Sequence, residues 1–257
     1  MSKELLLFLD KLHDQAIELL RSVHFDKRPH RDGYVVCLYA SMIELCGGIV
    51  VLISRDRKTS VSPVFRTLLE ASVDFKNALQ DSTYVKHAYA QHHKDWIKVL
   101  SEQPNPFLAG ILGHDSRDAA LERHKEDIQK LKDQGIKPLK IVEKFDRAEM
   151  ADEYRSIYHF ECDAAHNSWQ SLLGRHFKEA DNDFELTLYK ERSLGDYTTY
   201  LDSAAALLLD ATGKIHERFN SGEQHRVEEL RQELSALQGG ASCSVTVTMP
   251  KGPDPVQ

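Results

Sequence analysis

The sequence predicts an all-α protein: a helical bundle with at most one short strand or hairpin near 184–190, and a flexible C-terminal tail. Three observations predict it. Apolar residues recur at spacings of three and four along most of the chain, as on a helix with one face against a core. Glycine and proline are sparse, 13 and 8 in 257 residues, and fall between the periodic segments. Strand–helix alternation and internal repeats are both missing, so a parallel sheet or solenoid is excluded.

Residues 3–23 open the series, with Leu5, Leu9, Leu12, Ala16, Leu19, Leu20 and Val23 as one stripe. HFDKRPHRDG breaks the pattern, with Pro29 and Gly33 as punctuation. Tyr34 to Ser54 follows as a long apolar segment whose single charge is Glu44. It is long enough for a bilayer, but its carboxylate and Gly47-Gly48 favour a fully buried central helix and no membrane. A third helix is expected from Ser62, an N-cap before Pro63, through Gln80. A fourth covers 84–100, and a charged, solvated one covers 115–133, closed by Gly135 and Pro138. Residues 149–179 read as one helix that continues or bends near 167, and FELTLYK (184–190) reads as the strand. A long helix from Leu194 to Phe219 ends at Asn220-Ser221-Gly222, before a charged helix to residue 238. The organisation expected is therefore a bundle domain at 1–219, a C-terminal helix at 220–238 and a disordered tail at 239–257 able to bind a partner protein.

Composition narrows the function classes. Net charge is −7, which argues against a broad electrostatic nucleic-acid binder but leaves room for a local basic site. Cys37, Cys46, Cys162 and Cys243 form no CxxC pair, and the charged, amphipathic N-terminus is no signal peptide, so free thiols in the cytoplasm are expected. GxGxxG, GxxxxGK[ST], GxSxG and HExxH are absent, which removes the familiar dinucleotide, phosphate-loop, hydrolase and zinc-protease readings.

Two constellations could carry chemistry. Arg66, Glu70 and Asp74 stand at i, i+4, i+8 on one helix face, and Arg66 is the natural partner of Glu44 or Glu70. As a bland alternative, such an ion pair fixes helix register. The second is the segment 154–167, where Arg155, His159, Cys162 or Asp163, and His166 fall along one side of a regular helix. Imidazoles are suited to moving protons near neutrality. Asp163 and His166 also have the i, i+3 spacing of carboxylate-bridged metal bundles, which Glu44 and Glu70 could complete. Only one such motif is present, so neither a metal nor any cofactor is assigned. His87, His92 and His93 read as surface residues, and Trp96 and Trp169 as packing.

FRTLLEA, followed far downstream by a Tyr and then AHNS, resembles an uncharacterised bacterial family, domain of unknown function 5677, over roughly residues 34–215. The pattern also loosely resembles the HEPN superfamily of helical bundles. That resemblance implies a metal-independent ribonuclease, or a nucleotide- or RNA-binding effector, in a bacterial defence or toxin–antitoxin setting. It implies a homodimer as well, with catalysis by His166, His159 and Arg155 supported by Arg66, Glu70, Glu44 and Asp163. The HEPN pattern leaves four to six residues between Arg and His, yet Glu161, Phe160 and His159 occupy the corresponding positions ahead of His166 here. A non-catalytic dimeric scaffold and a carboxylate–histidine metal bundle are the alternatives.

Overall fold

The computed structural model describes residues 2–26, 30–102, 114–166, 168–180, 183–188, 190 and 193–239. Helix α1 (Ser2–Leu20) buries Leu5, Phe8, Leu9, Leu12, Ala16 and Leu19, the stripe that its periodicity announces. Helix α2 (His30–Ser54) starts three residues before Gly33, earlier than the sequence suggests. Its first turn is anchored from outside: Arg31 donates to the carbonyls of Ala78 and Leu79, and Asp32 pairs with Arg218 at 2.5 Å.

The expectation of a fully buried α2 is corrected. Val35, Tyr39, Met42, Ile43, Cys46 and Ile49 face the core, while Cys37, Ser41, Glu44 and Val51 are exposed. The exposed positions repeat every three to seven residues, so they form one outer stripe. Arg31–Ser54 is long and apolar enough to cross a membrane by length and composition, and it packs here against α1, α3, α4 and α10. At Gly47 a Cβ would lie 2.6 Å from His13 Nε2, so the glycine lets α1 and α2 approach closely.

Helix α3 (Lys58–Gln80) begins before Ser62, and Pro63 lies inside it, one turn later than the expected N1 position. The missing proline N–H leaves only one intrahelical bond unmade so near the start. Helices α4 (Tyr84–Ser101) and α5 (His114–Asp133) pack as an antiparallel pair tied at both ends. Arg117 donates to Leu100 and Glu102 carbonyls at one end, and Lys86 donates to Gln134 at the other. Gly135, at φ +75°, ends α5, its N–H donating to the Lys132 carbonyl at 2.8 Å.

A short helix the sequence did not announce, α6 (Ile141–Arg147), is capped by Glu143 accepting from the Lys140 N–H at 2.7 Å. Helix α7 (Ala151–Glu153) runs into a π-helical turn (Tyr154–Tyr158) and then α8 (His159–Ala165). The expected single helix over 149–179 thus has a wide turn within it. It also breaks after His166, before α9 (Trp169–His176). Strands β1 (Phe177–Ala180) and β2 (Asp183–Leu186) form an antiparallel hairpin, with Phe177 opposite Leu186. A 3₁₀ turn (Leu194–Tyr197) leads to α10 (Thr198–Arg218). Asn220 at φ 46° and Gly222 at φ +81° then turn the chain into α11 (Gln224–Gly239). The protein is all-α apart from that hairpin among its described residues; the expected tail and Cys243 lie outside them.

One core cluster joins α1, α2, α3, α10 and α11, with Phe145 and Tyr158 entering it from the segment that carries the site. Val85, Ala90, Leu100, Ala120 and Ile128 are buried outside that cluster, under the α4–α5 pair.

Candidate functional site

Packing between α3 and the π turn–α8 segment builds the main polar cluster. Phe145, Tyr154 and Tyr158 pack ring to ring, with centroids 4.9–5.5 Å apart. That contact fixes Tyr158, whose hydroxyl donates to Glu70 Oε1 at 2.7 Å and accepts from Arg66 at 3.2 Å. Burial, then the Glu70 hydrogen bond, raises the Tyr158 pKa, so the phenol stays protonated. Arg66 Nε also stands 3.2 Å from Glu70 Oε1, an ion pair rather than an aligned hydrogen bond. The Arg66 guanidinium is 5.3 Å from the centre of the Tyr158 ring.

His166 closes the cluster from the end of α8. Its Nε2 lies 3.1 Å from an Arg66 terminal nitrogen. Guanidinium can only donate, so Nε2 is the acceptor in this contact. His166 is exposed, so the pair forms at the surface.

The structure therefore brings together Arg66, Glu70 and His166 among the sequence candidates. Arg155 and His159 stand apart: both are exposed, and Arg155 pairs with Asp152 at 3.8 Å. The π turn adds a residue to one turn, which rotates Arg155 by about 100° relative to α8. The Asp163 side chain lies outside the described residues. Glu44 is exposed on the outer stripe of α2 and pairs with neither Arg66 nor Glu70, which corrects its expected place in a buried ion pair. Asp74 accepts from Tyr84 at 2.5 Å and pairs with Lys144 at 3.0 Å. Among the described residues no group of three or more His, Cys, Asp or Glu is arranged to hold a metal ion.

Four features escaped sequence reasoning. Glu161 is buried beside the hydroxyls of Ser62 and Tyr200, and its Oε2 has no aligned partner. Burial pushes its pKa up, which those hydroxyls only partly counter. His87, expected at the surface, is buried, with Nδ1 2.7 Å from the Lys137 carbonyl. His93 and His124 bring their Nδ1 atoms within 2.8 Å of each other, and Trp96 stacks on His124 at 5.8 Å. Trp169, expected in packing, is instead 69% exposed. Helical spacing marks which face a residue occupies, but not whether a neighbour arrives to cover it.

Residues 32–185 match a family described as a family of unknown function, DUF5677. No curated protein and no solved structure matches the chain.

Proposed function

The chain belongs to DUF5677, a family of unknown function, and from the geometry of its polar cluster we propose that it binds RNA and cleaves it without a metal ion. The observation that carries this reading is the 3.1 Å contact between Arg66 and His166, contributed by separate helices. HEPN-like nucleases pair an Arg with a His on one helix. Here Arg66, reaching across from α3, stands where that helix offers no arginine.

A phosphodiester arriving at the pair takes the Arg66 nitrogen now bonded to His166, because a phosphate oxygen is the stronger acceptor. His166 Nε2 is then free to act as a base. It accepts the proton of the RNA 2′-hydroxyl while the 2′-oxygen bonds to phosphorus and the bond from phosphorus to the 5′-oxygen breaks. The imidazolium returns its proton to the departing 5′-oxygen. Arg66 balances charge on the non-bridging oxygens, and Tyr158 with Glu70 holds the guanidinium in place. Such cleavage suits a bacterial defence or toxin–antitoxin effector acting in the cytoplasm.

The test is cleavage of an end-labelled single-stranded RNA in excess chelator. Arg66→Ala and His166→Ala should each lower the rate at least about 100-fold, the scale of losing a positioned acid–base or electrostatic group. Equal cleavage by wild type and both variants, or none by any, overturns the reading. The second reading, a non-catalytic dimeric scaffold, would then stand, favoured by the exposed Cys37–Ser41–Glu44–Val51 stripe of α2.

A further inference from the structure

Helices α4 and α5 meet near their midpoints through histidine. His93 of α4 and His124 of α5 stand with their Nδ1 atoms 2.8 Å apart and their ring centroids 5.1 Å apart. His92 is the third member, its centroid 5.5 Å from that of His93 and 5.8 Å from that of His124. Trp96, one turn on from His92, stacks on the His124 ring with 2° between the planes and steadies it. Three imidazoles bound to one zinc ion form a triangle of the same size. A Zn–N bond of about 2.0–2.1 Å, extended by about 1.1 Å to the ring centre, puts each centroid about 3.2 Å from the metal. At tetrahedral or trigonal angles the centroids then stand about 5.2–5.5 Å from one another.

We propose that His92, His93 and His124 form a binding site for a divalent transition-metal ion, zinc by its geometry, with water as the fourth ligand. Two of the donors already converge. One Nδ1 donates to the other, and moving that proton to Nε2 of the same ring, a change of tautomer, turns both lone pairs toward the gap. The two nitrogens part by only about 0.5 Å to reach the spacing of tetrahedral ligands. The three rings as they stand are not a ligand set, but His92 is exposed and its ring is free to turn toward the other two. Asp127 supplies negative charge that acts on both His93 and His124, with Arg123 opposing it at His124. Bound there, the ion fastens α4 to α5 between the Arg117 contact at one end and the Lys86 contact at the other. The site uses neither Arg66 nor His166, so it goes beyond the RNA-cleaving reading and stands without it.

The experiment is titration of the full chain, free of any affinity tag, with Co(II) and then Zn(II). One Co(II) per chain is expected to give the strong visible absorption of a four-coordinate site, against the faint bands of the hydrated ion, and Zn(II) to displace it. His92→Ala, His93→Ala and His124→Gln should each weaken Zn(II) binding at least about tenfold. His225→Ala, at an exposed position on α11, should leave it unchanged. Zinc should also slow amide exchange in α5 more than in α10, a difference that His124→Gln removes. Should His124→Gln fail to fold, His92→Ala, at an exposed position, still decides the matter. Absence of the four-coordinate spectrum, several ions per chain that no single substitution weakens, or full affinity in His92→Ala overturns the proposal. RNA cleavage is assayed in excess chelator, so its success or failure is independent of this result.

Discussion

Glu161 shows how one side chain sets a pH window. A carboxyl group buried beside two hydroxyls, with one oxygen unpartnered, has its charged form disfavoured. Its folded pKa is raised above the ordinary 4.5, so the unfolded chain releases the proton first as pH rises. Its contribution is therefore complete below about pH 4.5 and is lost as pH climbs through the folded value. Glu161→Gln should flatten the decline in urea midpoint above that pH, and an unchanged slope would refute the assignment. At this scale the sequence was legible where partners lie on one helix. Arg66 and Glu70 are one turn apart, and their pairing follows from that spacing. Tyr158 and His166 reach the same cluster from across a helix interface, which no local spacing encodes. Glu44 was readable in hindsight: with Cys37, Ser41 and Gly48 it marks the least apolar stripe of α2, which is the face turned outward.

Among the elements, the α4–α5 pair is the one whose stability depends most visibly on protons. With Nδ1 atoms 2.8 Å apart, one ring of His93 and His124 donates and the other accepts, so the contact fails when both are protonated. His92 and Arg123 add positive charge nearby, and Asp127, itself paired with Lys130, supplies the opposing one. Burial comes first in lowering both pKa values from the ordinary 6.5, and mutual repulsion follows for His124. The unfolded or separated segment then binds protons first as pH falls, so the stability present above about 6.5 is lost on acidification below it. Amide protection factors in α5, corrected for the slower intrinsic exchange at lower pH, should fall between pH 6.5 and 5 more than those in α10, and His124→Gln should abolish that difference. Identical acid responses of α5 in wild type and variant would exclude the pair as the cause. Sequence periodicity located both helices to within a residue or two. Nothing in it announced the π turn, because a widened turn has no residue signature when aromatic packing, here Phe145 against Tyr154 and Tyr158, holds it.

Across the whole molecule, the fold class was legible because every long helix carries its own apolar stripe. How the helices associate was not. α11, which the sequence separates as a charged C-terminal piece, sends Val227, Leu230 and Leu234 into the same core as α1 and α10. Ending the chain at Asn220 would remove three buried aliphatic side chains, each stabilising by about 1.5–3 kcal/mol. Such a truncation should lower the thermal midpoint by at least about 10 °C in circular dichroism, and an unchanged midpoint would make α11 an appendage. The seal between the ends is also polar: Ser2 bonds Thr198 at 2.7 Å, Lys11 meets Glu233 at 2.6 Å, and Arg226 reaches Gln15 and Glu18. During synthesis the first helix leaves the ribosome about two hundred residues before these partners exist. Its leucine stripe must wait, wetted or shielded by a chaperone, until the final turns emerge, so slow translation late in the message prolongs the interval in which nascent chains are prone to aggregate.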